Sequence, residues 1–166
     1  MEIAVDKTTV EYVLTLGHCG DGSGDKLTDA TAYLKQSKDL REAWDKCHRG
    51  DWMLWLAVRL GVDIRPLTLA KALCAETVLE LMDDDRSREA VRVAKEFGKG
   101  TATKRQLDAA ADAAAAADAA AYAAVAAAAD ADADADAAAA AAAARKDNQQ
   151  KTADICREVL TKEVFK

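Results

Sequence analysis

The chain has 166 residues, 51% apolar and only 5% aromatic, with 29 acids against 23 bases for a net charge of −6. Leu-, Val- and Trp-rich segments of this kind must bury themselves, which excludes a disordered chain, and a single proline with few β-branched runs argues against an all-β fold. The acidity is local: residues 106–144 carry seven Asp and no Lys or Arg, while the remainder sets 22 acids against all 23 bases, so a free-standing nucleic-acid binder is not expected.

In chain order, residues 8–16 carry too many β-branched side chains to separate strand from helix. Residues 17–25 hold four glycines and predict a loop. A short helix is predicted over Thr28–Gln36. Ser37 or Asp39 then caps a helix carrying Leu40, Ala43, Trp44 and Cys47 at three- and four-residue spacing. Arg49-Gly50 should break it, and Asp51 should cap Trp52–Leu60, which Gly61 ends. Pro66 suits the first turn of the next helix, where its missing N–H is not needed. The apolar face from Leu67 through Leu69, Ala70, Leu73, Cys74, Val78, Leu79 and Met82 predicts a central core helix over 66–82. Asp83-Asp84-Asp85 offers caps for a helix over Arg86–Phe97, closed by Gly98 and Gly100. Thr101 or Thr103 opens the alanine-rich segment. Thr152–Val164 is the last predicted helix, with Ile155, Val159 and Leu160 turned inward.

Within Ala109–Ala144, 28 of 36 residues are Ala. As one helix these residues would span about 54 Å, against a domain roughly 40 Å across, so the segment projects, kinks or folds back. Tyr122 and Val125 mark its packing stripe. The Asp130–Asp136 alternation puts carboxylates on opposite sides of a helix and fits a hairpin tip, where Asp tolerates turn geometry. The expected fold is therefore all-α: one domain of five to seven helices, a compact bundle with a long alanine-rich helix or helical hairpin. It comprises an N-terminal part at 1–38, a helical core at 39–100 built on antiparallel helices 39–47, 51–60 and 66–82, and the alanine-rich and C-terminal helices at 101–166.

Cys19, Cys47, Cys74 and Cys156 are widely spaced with no CxxC, and no apolar start resembles a signal peptide. Both points suit a reducing cytoplasm. Cys74 and Cys156 fall in apolar helical patterns, as small buried hydrophobes do. The longest uncharged alanine stretch, Ala119–Ala129, is about half of what a membrane span needs, so no membrane partner is expected.

His18, Cys19, Cys47 and His48 have a zinc-ligand composition, but adjacent residues rarely bind one ion and the spacing matches no finger. The expectation is no metal and no cofactor, with a small metal-dependent domain as an alternative. Asp21 and Asp25 hint at a calcium loop without its closing Glu, and Gly20, Gly22 and Gly24 precede no Gly-Lys-Ser/Thr. Arg49-Gly50-Asp51 spells an adhesion tripeptide and reads better as a helix junction. Trp44, Trp52 and Trp55 could stack a ligand, but on successive amphipathic helices they read as core. Asp51 with His48 could serve as acid and base, yet no nucleophile has a supporting arrangement. No catalytic residue is assigned. An ice-binding Thr face is excluded, since no Thr lies between Thr103 and Thr152.

The block Ala43-Trp-Asp-Lys-Cys-His-Arg-Gly-Asp-Trp-Met-Leu-Trp-Leu-Ala-Val-Arg-Leu-Gly61 resembles a signature of bacterial and phage immunity proteins of the Imm5-like type. Members of that family carry a Trp, a Cys, a short Arg-(Gly/Ala)-Asp turn and then Trp-Leu-Leu-Trp-Leu. The resemblance runs on through Arg65-Pro66-Leu67, Ala90 to Phe97 and the alanine-rich segment to Ala153-Asp-Ile-Cys-Arg-Glu-Val159. His48 stands where the family has Pro, and the glycine-rich loop at 17–25 differs from its usual N-terminal portion. The resemblance implies an intracellular protein that binds and neutralises a toxin, and it assigns no catalytic residues.

The expectation is thus a non-enzymatic protein-binding inhibitor whose Asp112, Asp118, Asp130, Asp132, Asp134 and Asp136 meet a protein partner with a basic surface, a toxin or a defence nuclease complex. The alternative within this class is a phage-encoded, anti-CRISPR-like inhibitor of a nucleic-acid-binding defence protein, with carboxylates imitating phosphates. A homodimer joined through alanine helices is a further possibility.

Overall fold

The computed structural model describes residues 10–15, 32–81, 84–113 and 135–166. The glycine-rich segment 17–25, Tyr122 and Val125 lie outside them, as do His18, Cys19, Asp118, Asp130, Asp132 and Asp134 and with them most of the expected hairpin tip. The described residues form an all-α fold of eight helical segments and one 3-10 turn, more than the five to seven expected. These are α1 (Val10–Thr15), α2 (32–36), α3 (Leu40–Lys46), α4 (Gly50–Arg59), α5 (Ile64–Glu76), α6 (Asp85–Lys99), α7 (104–113) and α8 (Ala135–Val164). The ambiguous segment at 8–16 is helical as α1, and its Val13 enters the core.

Local chemistry sets four of the helix starts. The Asp39 carboxylate accepts from the Glu42 N–H at 2.7 Å, Asp63 from Arg65 N–H at 2.9 Å and Asp84 from Ser87 N–H at 2.8 Å, each satisfying a donor that the first helical turn leaves open. Thr103 and Gln106 bond reciprocally at the start of α7, as a capping box does. Gly61 and Gly100, at φ +77° and +85°, sit just beyond α4 and α6 in the left-handed conformation that favours glycine.

Three boundaries differ from expectation. Gly50 opens α4 rather than breaking α3, and Asp51 lies in the first turn rather than at the cap, which is Arg49. A Cβ on Gly50 would come within 2.7 Å of the Thr152 carbonyl carbon, so the residue serves the close approach of α4 to α8. Gly98 lies inside α6, where a Cβ would meet the Leu69 Cα at 2.8 Å. The helix expected over 66–82 stops at Glu76, where the Thr77 hydroxyl donates to Cys74 O at 2.7 Å and the chain tightens into the 3-10 turn Leu79–Leu81.

The centre of the core is α8. Ala153, Cys156, Leu160 and Val164 recur at helical spacing and are buried with Trp44, Met53, Leu56 and Ala57, whereas Ile155 and Val159 are only half-buried. The antiparallel core expected from three early helices is therefore completed by the last one. α4 and α5 both pack on α8, and α6 packs along α5. Paired contacts give the directions: Cys74 of α5 and Thr77, which caps it, meet Thr152 and Asn148 of α8, an antiparallel arrangement. A second cluster, Val93, Phe97 and Ala102 with Leu107 and Ala110, holds the start of α7 against α6.

Candidate functional site

The densest polar geometry lies where α3 turns into α4 against α8. Cys47 is extended (φ −64°, ψ 128°) and ends α3, leaving carbonyls 45–47 without helical partners. Arg157 of α8 supplies the donors: its Nε donates to Asp45 O at 2.9 Å and its Nη2 to Cys47 O, while Nη1 meets Asp154 at 2.5 Å. Arg157 therefore fastens the corner to the central helix.

The proposed ligands at this corner separate. The Cys47 thiol is buried and donates to Arg49 O at 3.5 Å; burial pushes its pKa up, so the thiol form is favoured. His48 is exposed and lies edge-on to Tyr33, with ring centroids 6.4 Å apart. No group of three or more potential ligands converges among the described residues. Asp51, offered by sequence as a partner of His48, is engaged by Arg49 at 2.8 and 2.5 Å. Burial would raise the Asp51 pKa, but the hydrogen bonds and charge of Arg49, with backbone N–H groups, hold it below the usual carboxylate range. The Arg-Gly-Asp tripeptide is thus closed on itself, its guanidinium lying 4.7 Å from the Trp52 ring centre.

The three tryptophans divide into two environments. Trp44 is 1% exposed and core, with Phe165 edge-on at 6.1 Å. Trp52 and Trp55 are half-buried and carry Arg49 and Arg59 over their rings. All three therefore belong to the core as expected, Trp44 buried within it and Trp52 and Trp55 packed against its edge. Val58 and Ile64 are 48% and 49% exposed.

Of the six candidate aspartates, Asp112 is exposed on α7, one turn after Asp108, which pairs with Lys104. Asp136 lies on the backbone of the first turn of α8.

A feature unmarked in the sequence joins α5 to α8. The Cys74 thiol donates to Thr152 O and the Cys156 thiol to Gly50 O, each at 3.7 Å, and the two thiols are close enough to shift one another's ionisation. Their apolar helical patterns show burial, but nothing local signals that residues 74 and 156 meet.

No protein-family model matches the chain, and no curated protein or solved structure matches it significantly. Among the described residues no helix is long and apolar enough to cross a membrane.

Proposed function

We propose that the chain is a non-enzymatic protein-binding inhibitor, in its first form a cytoplasmic immunity protein that neutralises a toxin. The observation supporting this most directly is the division of charge, with seven carboxylates and no cation in residues 106–144 against a near-neutral remainder. Charge divided in this way accelerates encounter with a basic partner and rejects acidic ones. The described part of the segment is compatible with that role, since Asp112 faces solvent on α7 while Val93 and Phe97 anchor the start of the helix. The Imm5-like resemblance of the Ala43–Gly61 block supports toxin immunity within this class.

The regular Asp-Ala alternation at Asp130–Asp136 favours a second reading, an inhibitor of a nucleic-acid-binding defence protein whose phosphate site the carboxylates occupy. A nuclease-treated pull-down from source cells, washed at low and high salt, tests the class. One stoichiometric basic protein, lost at high salt, supports an electrostatic inhibitor, and its identity separates toxin from defence protein. Recovery of this chain alone overturns the reading for partners present in those cells and favours self-assembly.

A further inference from the structure

We propose that Cys74 and Cys156 form a redox-sensitive dithiol that closes to a disulfide across the α5–α8 contact, with a small-molecule disulfide such as oxidised glutathione as oxidant. Both thiols reach main-chain carbonyls at the place where Gly50 of α4 closely approaches Thr152 of α8. Cys74 Sγ donates to Thr152 O, the carbonyl one helical turn before Cys156, and Cys156 Sγ donates to Gly50 O, where α4 begins. Small residues accompany them: Ala70, one turn before Cys74, and Ala153, next to Thr152 in the chain, are fully buried, and Gly50 lacks even the Cβ that Thr152 would exclude. Small residues let helix backbones approach closely, which a disulfide requires.

The two sulfurs are chemically unequal, and this sets the order of events. Cys156 is 0% exposed, while Cys74 is partly open to solvent. When Cys74 ionises, the neighbouring Cys156 thiol can turn from Gly50 O to donate to it, which holds the Cys74 pKa below the ordinary thiol range, and the same neighbour together with burial pushes Cys156 up. Cys74 is therefore the attacking thiolate. It displaces one thiolate from the small disulfide and forms a mixed disulfide. Cys156 then gives its proton to the departing thiolate and attacks Cys74 Sγ, expelling the second small thiolate. The two protein thiols lose two electrons, and one small disulfide is reduced to two thiols. In a reducing compartment the pair stays open; an oxidising change closes it. Closure ties α5 to the central helix on either side of the alanine-rich segment.

The test is oxidation of the full chain by oxidised glutathione under native conditions, read by intact mass and peptide mapping. The expected product lacks the mass of two hydrogens, contains the Cys74 and Cys156 peptides joined, melts at a higher temperature and reverts with dithiothreitol. Cys156→Ala should instead accumulate a glutathione adduct on Cys74. Cys74→Ser should give neither product at these positions. Oxidised chain with Cys74 and Cys156 both still free, or joined to Cys19 or Cys47 instead, overturns the proposal, and the wild-type measurement decides this even if a variant does not fold.

Discussion

The indole N–H of Trp44 donates to the Thr161 hydroxyl at 2.9 Å, joining α3 to α8 across 117 positions of chain. Thr161 in turn donates to Arg157 O at 2.6 Å, so the bond extends the helix's own hydrogen bonding into the largest fully buried side chain of the core among the described residues. Trp44→Phe keeps much of the ring packing against Phe165 and loses the hydrogen bond, and should cost about 1–2 kcal/mol. Trp44→Ala should cost about 3–5 kcal/mol through the cavity it leaves. Urea unfolding with an unchanged m-value measures both, and a Trp44→Phe variant as stable as wild type would show that the hydrogen bond contributes little.

Gly50 and Gly61 should respond to alanine for different reasons. At Gly50 the added methyl meets the Thr152 backbone, so overpacking of roughly 1–3 kcal/mol is expected. At Gly61 there is open space, and the cost of about 1–2 kcal/mol is that of the left-handed backbone. Gly61→Asn should recover part of the second loss, whereas Thr152→Ser should recover little of the first, because the obstruction includes main chain.

Arg157 bonds two carbonyls through a forked, planar group. Replacing it with Met should destabilise the chain by about 2 kcal/mol, since two carbonyls lose a charged donor. Lys should restore less than half of that, because an ammonium is a point charge and not a fork. Full recovery in the Lys variant would show that charge alone fastens the corner.

Tyr33 gives stability a pH dependence at the alkaline end. Burial, assisted by the nearby Cys47, pushes its pKa from the ordinary value near 10 up to about 12, and its hydroxyl donates to Ala43 O at 2.7 Å. With the folded pKa above the unfolded one, the stabilisation is complete below pH ~10 and is lost as the pH rises through about 12. Comparing unfolding curves of wild type and Tyr33→Phe isolates this group from the lysines and cysteines. The two should converge over that interval; a constant gap would contradict the assignment.

Features fixed within a few residues are legible without coordinates. The Asp39 and Asp84 caps, the Thr103 start and the helix ends at Gly61 and Gly100 all follow from side chains that bond or bend their immediate neighbours. Features that depend on a distant partner are not. Gly50 and Gly98 look like helix breakers until Thr152 and Leu69 are seen beside them. The central place of α8 was obscured because its inward residues Ala153 and Cys156 are small, while the larger Ile155 and Val159 turn partly outward. In the same way, Cys47 and His48 are neighbours in a set with zinc-ligand composition, and only the backbone between α3 and α4 shows that one side chain turns inward and the other to solvent. Of the acidic residues, sequence gives the charge and α7 gives the exposure of Asp112.

The most direct test of the central claim is the salt dependence of affinity for the captured partner, wild type against the variant carrying Asn at positions 130, 132, 134 and 136. If the carboxylates make the contact, the variant binds more weakly at low salt and its affinity changes less as salt is raised, since fewer charges remain to be screened. Equal affinity and an equal salt slope in the two proteins, with melting temperature unchanged, would contradict electrostatic inhibition through this segment.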